Sequence, residues 1–281
     1  MNHSITTYHN LTTTVAQIFC LLNLKNREHP KGRKPALNNI EATAVAIFKQ
    51  RQSIATKRSL FEIVEPPCEY NAFVRAINAA GMYVAIIIGM VMNEMRKHAH
   101  LIKFTDATDV PVCMNKNAKH HRTMREFASW SQTGKGFFFG LKLHLSADLE
   151  DRVLALSFTS ANSDDRAVFK KMNAALRGIF VADAGYVSKD LCHDFFIENE
   201  RMLVTATRSN MKKVAAQWQI DLLNMRMKVE THFRELKVCY GFITSLPRSV
   251  WGYLTHYLSA IAAHLLFPRK NNYKQLVSPA F

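Results

Sequence analysis

The sequence predicts an α/β protein, a mixed β-sheet flanked by helices and preceded by a small all-helical N-terminal domain. Three observations carry this prediction. Apolar residues recur at helical spacing between residues 31 and 100. Three short strand-like runs then follow one another closely, and beyond them helical and strand-like segments alternate. A meander followed by such alternation implies a mixed sheet covered by helices. The expected division is 1–100 for the helical domain and 101–281 for the sheet domain with its C-terminal helix.

The first helix signal is LNNIEATAVAIFKQRQ, where Asn38 stands three residues before Glu41 in a capping-box pattern. SIATKRSLFEIV reads as a second helix that EPP stops, and a third begins near Glu69 and runs, interrupted near Gly81, to His98. Lys31, Arg33, Lys34, Lys49, Arg51, Lys57 and Arg58 gather around the first two. A DNA-binding region of helix-turn-helix type is one reading; a helical bundle with a solvated basic face is the other.

The runs LIKFTDAT (101–108), FFFGLKLHL (137–145) and RVLALSF (152–158) predict strands, the last two joined by the turn SADLED. A helix over 165–176, a buried strand GIFVAD (178–183), a helix near 189–198 and a strand RMLVTAT (201–207) follow, then one long helix over 222–240.

Charge narrows the function. Lys and Arg number 37 against 22 Asp and Glu, a formal +15 with a pI near 9.7. A polyanionic partner is the direct inference, because every phosphate neutralised by Lys or Arg releases counterions; nucleic acid leads over an anionic membrane surface. The five cysteines are odd in number and scattered, which suits reduced thiols in a cytoplasm and neither a disulfide framework nor a zinc finger. No secretory signal is visible, MYVAIIIGMVM is too short to span a bilayer, and the run from Trp251 to Phe267, interrupted by Thr255, His256, Ser259 and His264, is read as a packed helix. No membrane partner is expected.

The candidate chemistry lies in carboxylates. Asp106 stands near the end of the first strand and Asp183 at the C-terminal end of the buried strand, the position beyond which sites in such sheets collect. In a strand alternate residues share a face, so Asp106 follows Ile102 and Phe104 on the apolar row, whereas Asp109 is displaced by an odd number. On a helix of about 100° per residue, Arg226, Glu230 and Lys237 fall within roughly 40° of one another. Leu222, Met225, Val229, Phe233, Leu236 and Tyr240 form the adjoining packed face, and Glu235 is predicted to face solvent. Three carboxylates from two strands and a helix suit two hard divalent cations, Mg²⁺ with Mn²⁺ as substitute, which would activate a water or hydroxyl at a phosphodiester. A capping or turn role explains either aspartate alone, and surface pairing with Glu230 explains Arg226 and Lys237 as well as phosphate contacts do.

FTDATDVPVC, GKGFFFGLKLHL, FTSANSDDR, VADAGYVSK and RMKVETHFRELK follow one another in the order and spacing of a known group. The region from about 101 to 267 resembles the RNase H-like catalytic domain of bacterial insertion-sequence transposases of the DDE type. One group of these carries Tyr-x2-Arg-x3-Glu-x6-Lys on the last catalytic helix; Arg226, Glu230 and Lys237 fit that spacing, with Leu223 where the tyrosine would stand. Ala184 replaces a frequent basic residue and Asp109 a frequent proline. The resemblance implies that Asp106, Asp183 and Glu230 are the catalytic, metal-binding triad and that Arg226 and Lys237 support DNA near the cut.

Between the first two strands, CMNKNAKHHRTMREFASWSQTGKG carries Lys116, Lys119, Arg122, Arg125 and Lys135, read as further DNA contacts, with His120 and His121 as part of the same basic patch. The expectation is a cytoplasmic bacterial transposase that cuts and joins DNA at the ends of its insertion sequence, as a homo-oligomer. The alternatives are a metal-dependent RNase H-like nuclease and a catalytically inactive transposase-derived DNA-binding protein.

Overall fold

A computed structural model describes residues 2–24, 35, 37–134, 136–199, 201–206 and 215–268. The helices and strands before the first crossover are α1 (Asn2–Leu21), α2 (Asn39–Arg51), α3 (Lys57–Val64), α4 (Tyr70–Ala79), α5 (Gly81–Lys97), β1 (Ile102–Pro111), β2 (Ser129–Thr133), β3 (Gly136–Asp148) and β4 (Val153–Ser160). They continue as α6 (Asp165–Met172), β5 (Ile179–Ala182), α7 (Lys189–Asn199), β6 (Met202–Thr205), α8 (Gln217–Asn224), α9 (Met227–Cys239) and α10 (Val250–Leu266). The chain forms two compact units, Met1–Ile88 with Thr255–Phe281, and Gly89–Leu254. From Thr255 onward α10 therefore groups with the N-terminal helices and not with the sheet.

In the helical unit the predicted caps are present. Asn38 accepts from the Glu41 backbone N–H and Glu41 Oε2 accepts from the Asn38 N–H, both at 2.9 Å, closing the capping box that starts α2. Thr56 caps α3, and Glu65 ends it in a left-handed conformation just before Pro66 and Pro67. α1 has no counterpart among the predicted helices. The run Tyr70–Lys97, nearly unbroken across α4 and α5, is long and apolar enough to cross a membrane by length and composition, and the apolar run at 82–92 lies within it, in the helix predicted from near Glu69 to His98. Phe73, Ile77, Ala80, Val84, Ile87 and Ile88 are buried along it at three- and four-residue intervals, the stripe of a helix packed on protein.

The second unit holds the sheet. Its strands run in the order β4-β3-β1-β5-β6, with β2 sharing the outer edge of β3 end to end with β4. β3 pairs antiparallel with β1 and β4, whereas β1, β5 and β6 are mutually parallel. This is the RNase H-like arrangement, a mixed sheet covered by helices. One face packs Leu154, Phe169, Phe180, Tyr186 and Phe195 beneath α6 and α7. Lys103 and Thr105 are buried as well as Phe104, so both faces of β1 are covered and strand parity separates two interiors, not core from solvent.

The predicted helix over 222–240 is broken. α8 stops at Asn224 and α9 begins at Met227, and across the junction the bonds tighten to three-residue steps: Arg226 N to Leu223 O, Lys228 N to Met225 O and Val229 N to Arg226 O. Tighter winding rotates the preceding residues off the expected face, and Met225, predicted to pack, is exposed. Glu235, predicted to face solvent, is buried at 8 % exposure beside His232, Phe233 and Leu236, because α9 presents a wider stripe to the sheet than the ideal projection allows.

Candidate active site

Parallel pairing of β1 with β5 sets the geometry. The register Phe104 opposite Val181 is the last of the pairs, and two residues further along each strand lie Asp106 and Asp183, of equal parity and thus on one side. Gly178 permits this register: its φ is +103°, and a Cβ there would stand 2.3 Å from the Leu101 carbonyl oxygen, which accepts the Ile179 N–H. Beyond Ala182 the chain turns, and Asp183 Oδ1 accepts from the Ala184 N–H at 2.7 Å.

Arg226 joins the helix to the strand. Its Nη1 donates to Asp106 Oδ2 at 2.8 Å and its Nη2 pairs with Glu230 Oε1 at 2.7 Å. The guanidinium thus bridges two predicted triad members, while Asp106 Oδ1 accepts from the Ala107 N–H at 2.8 Å. Burial pushes the Asp106 carboxyl up to about 6; the Ala107 bond and Arg226 oppose this, and the charges of Asp183 and Glu230 add to it. The three carboxylates therefore repel one another across a short space, with one guanidinium as their counter-charge. Lys237, three turns along α9, pairs with Asp109 at 2.9 Å. Arg226, Glu230 and Lys237 do share a face, and each cation reaches a different aspartate of β1.

Residues outside the predicted set complete the surroundings. Tyr186 is 2 % exposed, and its hydroxyl has no hydrogen-bond partner among the described residues. Burial, then the charges of Asp165, Asp106 and Asp183, push that hydroxyl far above its ordinary range, so it stays protonated facing the carboxylates. Lys142, whose Cα opposes Asp109 across the β1–β3 ladder, turns its amine to Asp165 at 2.8 Å and to the Ser163 carbonyl at 3.2 Å. His144 donates to or accepts from Thr159 Oγ1 at 2.8 Å and lies 4.0 Å from Asp165; burial first, against the pull of Asp165, lowers its basicity. Alternation in GLKLHL, which sets Lys142 and His144 on one face of β3, is the sequence signal that could have found them. Asp165 belongs to this network, and the cap of α6 is Asp164.

The loop residues stand apart. Lys116 and Lys119 lie on a 3-10 turn spanning Asn115–His120, and these two with Arg122 and Arg125 are exposed and make no ion pair among the described residues. Lys135 lies outside the described residues. His121 leaves the basic patch: its ring meets Phe139 and Tyr253 edge-on, and burial lowers its basicity, so it is a neutral packing residue. The predicted loop also contains β2, whose Trp130 packs on Phe139 at 5.7 Å between ring centroids.

Among the described residues no three His, Cys, Asp or Glu side chains are gathered into a ready metal-binding group. The donor set nonetheless fits a hard cation: it is all carboxylate oxygen, and burial, to which the charges of Asp183 and Glu230 add, leaves the Asp106 carboxylate in want of a counter-charge. Arg226 now supplies part of that relief.

No curated protein matches the chain. Among solved structures it is similar to "Crystal structure of the Mos1 mariner paired end complex with Mn", at 12% identity and a TM-score of 0.26, over 87% of this chain and 82% of that one. Residues 96–245 match the family described as Transposase DDE domain, a span that runs from the end of α5 through β1, β5 and α9 and so contains Asp106, Asp183, Arg226 and Glu230 together. The chain belongs to the DDE transposase family.

Proposed function

We propose that the chain is a DNA transposase that cleaves phosphodiester bonds at the ends of an insertion sequence and joins them to target DNA, acting in a bacterial cytoplasm as a homo-oligomer. The observation that carries this reading is the bridge from Asp106 through Arg226 to Glu230, with Asp106 in the middle of β1, not near its end as predicted, and Asp183 just past β5, both two residues beyond the last β1–β5 pair. Asp106, Asp183 and Glu230 would hold Mg²⁺ or Mn²⁺, two ions in the full complement, which supply electrophilic stabilisation and an activated attacking oxygen at the phosphorus.

The protein's own residues do the rest. Asp183 is aimed by the end of β5 and Asp106 by the middle of β1, each with the backbone N–H of the next residue, Ala184 or Ala107, so the carboxylates are held before substrate arrives. Arg226 and Lys237, freed from their carboxylate partners, would hold phosphates on either side of the scissile bond, and Lys116, Lys119, Arg122 and Arg125 would carry the DNA backbone further out. Residues 1–100 would recognise the element's ends.

Incubation of the protein with a duplex containing one end, a target duplex and Mg²⁺ or Mn²⁺ tests the reading. Joined products are expected. Cuts without joining would make it a nuclease, and a mobility shift with neither would make it a DNA-binding protein.

A further inference from the structure

The β2–β3 hairpin turns large aromatic side chains outward. In its ladder Trp130 lies opposite Phe139 and Gln132 opposite Phe137, so these four side chains share one face. Phe138, of the other parity, is buried on the far face. Phe139 is buried as well, but Trp130 and Phe137 are 48% and 62% exposed. Trp130 rests on the Phe139 ring at 5.7 Å between centroids, so a buried ring backs the indole while about half of the residue stays open. Trp130 and Phe137 are diagonal neighbours in the ladder, roughly 7–8 Å apart.

A basic turn is fastened beside this face at both of its ends. Asn115 Nδ2, at the start of the 3-10 turn, donates to the Phe137 carbonyl at 2.7 Å. His121, just past its end, sets its ring edge-on against Phe139 at 6.4 Å. Lys116 and Lys119 lie between these anchors, and Arg122 and Arg125 follow; all four are exposed, against the single acid Glu126. Open aromatic carbon and positive charge therefore form one surface. Gathered apolar area rimmed by polar groups marks a contact surface, and the charge selects the partner. A second copy of the chain is disfavoured, because an isologous contact sets the same four cations against four more. Duplex DNA accounts for the cations and not for the rings, since its base faces are stacked on one another. A single strand offers phosphates and open base faces together.

We propose that Trp130 and Phe137 form a stacking platform for the unpaired bases of a single DNA strand, whose phosphates Lys116, Lys119, Arg122 and Arg125 hold. Phe139 and Asn115 are its positioning residues, the first backing the indole and the second fixing the basic turn to β3. The platform rests on the reading that the chain binds DNA and takes nothing from the carboxylate site.

The full chain in EDTA tests this with a single-stranded oligo-dT and a blunt duplex of equal length. The chain has three tryptophans, so Trp218→Phe combined with Trp251→Phe leaves Trp130 as the sole indole. Its emission is expected to be strongly quenched by oligo-dT and little by the duplex. In the otherwise unchanged chain, Trp130→Ala and Phe137→Ala are each expected to weaken oligo-dT binding about tenfold, and Trp130→Phe to keep most of it. The slope of log K against log salt is expected to stay as in the wild type in both Ala variants, since neither removes a charge, whereas Lys119→Gln lowers it by about 0.7. Ala variants that lose slope along with affinity would show that the rings hold the basic loop in place and would overturn the platform. Equal quenching by the duplex overturns the preference for unpaired bases. Oligo-dT bound without quenching of Trp130 overturns the platform and leaves DNA binding standing, whereas binding of neither DNA overturns both. An emission change that follows protein concentration without DNA, with dimers in sedimentation that Phe137→Ala dissolves, would assign the face to a second copy and overturn the proposal. None of these outcomes touches the carboxylate reading, whose assay is cleavage.

Discussion

Arg226 holds the place that a cation would take. Its guanidinium spans Asp106 and Glu230 at 2.8 and 2.7 Å, so a divalent ion entering between those carboxylates competes with it. Arg226→Gln is therefore expected to bind Mn²⁺ more tightly than the wild type, about tenfold for each 1.4 kcal/mol of lost competition, while cutting DNA more slowly for want of a phosphate contact. Calorimetric titration of the DNA-free protein checks it; equal or weaker binding in the variant would show that Arg226 organises the carboxylates and does not occupy their site. Asp106 carries a second prediction. Burial and its acidic neighbours raise it from 3.8 to about 6 in the folded chain, so the native state takes the proton more readily than the unfolded one. The stability this group contributes is fully present below about pH 4 and is lost as pH rises to about 6. Two units at about 1.4 kcal/mol each set an upper bound of about 3 kcal/mol; solvent access to a side chain 20% exposed lowers the realised figure to about 1–2 kcal/mol. Asp106→Asn removes the penalty, and without divalent ions its melting temperature is expected to exceed the wild type's at pH 7.5 and to match it near pH 4. A variant that melts lower than the wild type at pH 7.5 would contradict this.

At the scale of elements, Gly178 sets the strand register on which the site depends. An added methyl meets the Leu101 carbonyl oxygen and forces an L-residue to φ +103°, so Gly178→Ala is expected to cost about 2–4 kcal/mol in denaturant titration. A cost below about 0.5 kcal/mol, the range of neutral surface changes, would show that β5 shifts freely and that the register does not fix Asp183. Much of this architecture was legible. The capping box at Asn38, the stop at Pro66, the break near Gly81 and the β1, β3 and β4 strands follow from local chemistry. What was not legible depends on contacts distant in sequence. The break before α9 leaves no Gly or Pro, so nothing local announces it, and Glu235 is buried by the sheet beneath it. β2 exists because β3 offers its outer edge to Ser129–Thr133, and Asp165 becomes a partner of Lys142 only when β3 and α6 are brought together. Glu235 is accordingly a poor choice as a solvent-facing control.

The whole molecule sets charge against charge. A formal +15 suits a polyanionic partner, and on the proposed DNA-binding reading each phosphate neutralised would steepen the fall of affinity with salt by about 0.9 in the logarithmic slope. The carboxylates at the site oppose this where a scissile phosphate would lie, since without divalent ions they present negative charge to a polyanion. Asp106→Asn, Asp183→Asn and Glu230→Gln each remove one such charge while keeping shape. Each is expected to lose cleavage at least about a hundredfold, because hard cations need anionic oxygen, and yet to bind duplex DNA in EDTA as tightly as the wild type or severalfold tighter. Asp109→Asn, which releases Lys237 from its 2.9 Å partner, is expected to share the tighter binding and to keep most of the cleavage. Loss of DNA binding in the three triad variants would mean that the carboxylates hold the fold together and not the ions. A cleavage-dead Asp109→Asn beside an active Asp106→Asn would move the reactive site one ion pair along β1, from the Arg226 side to the Lys237 side.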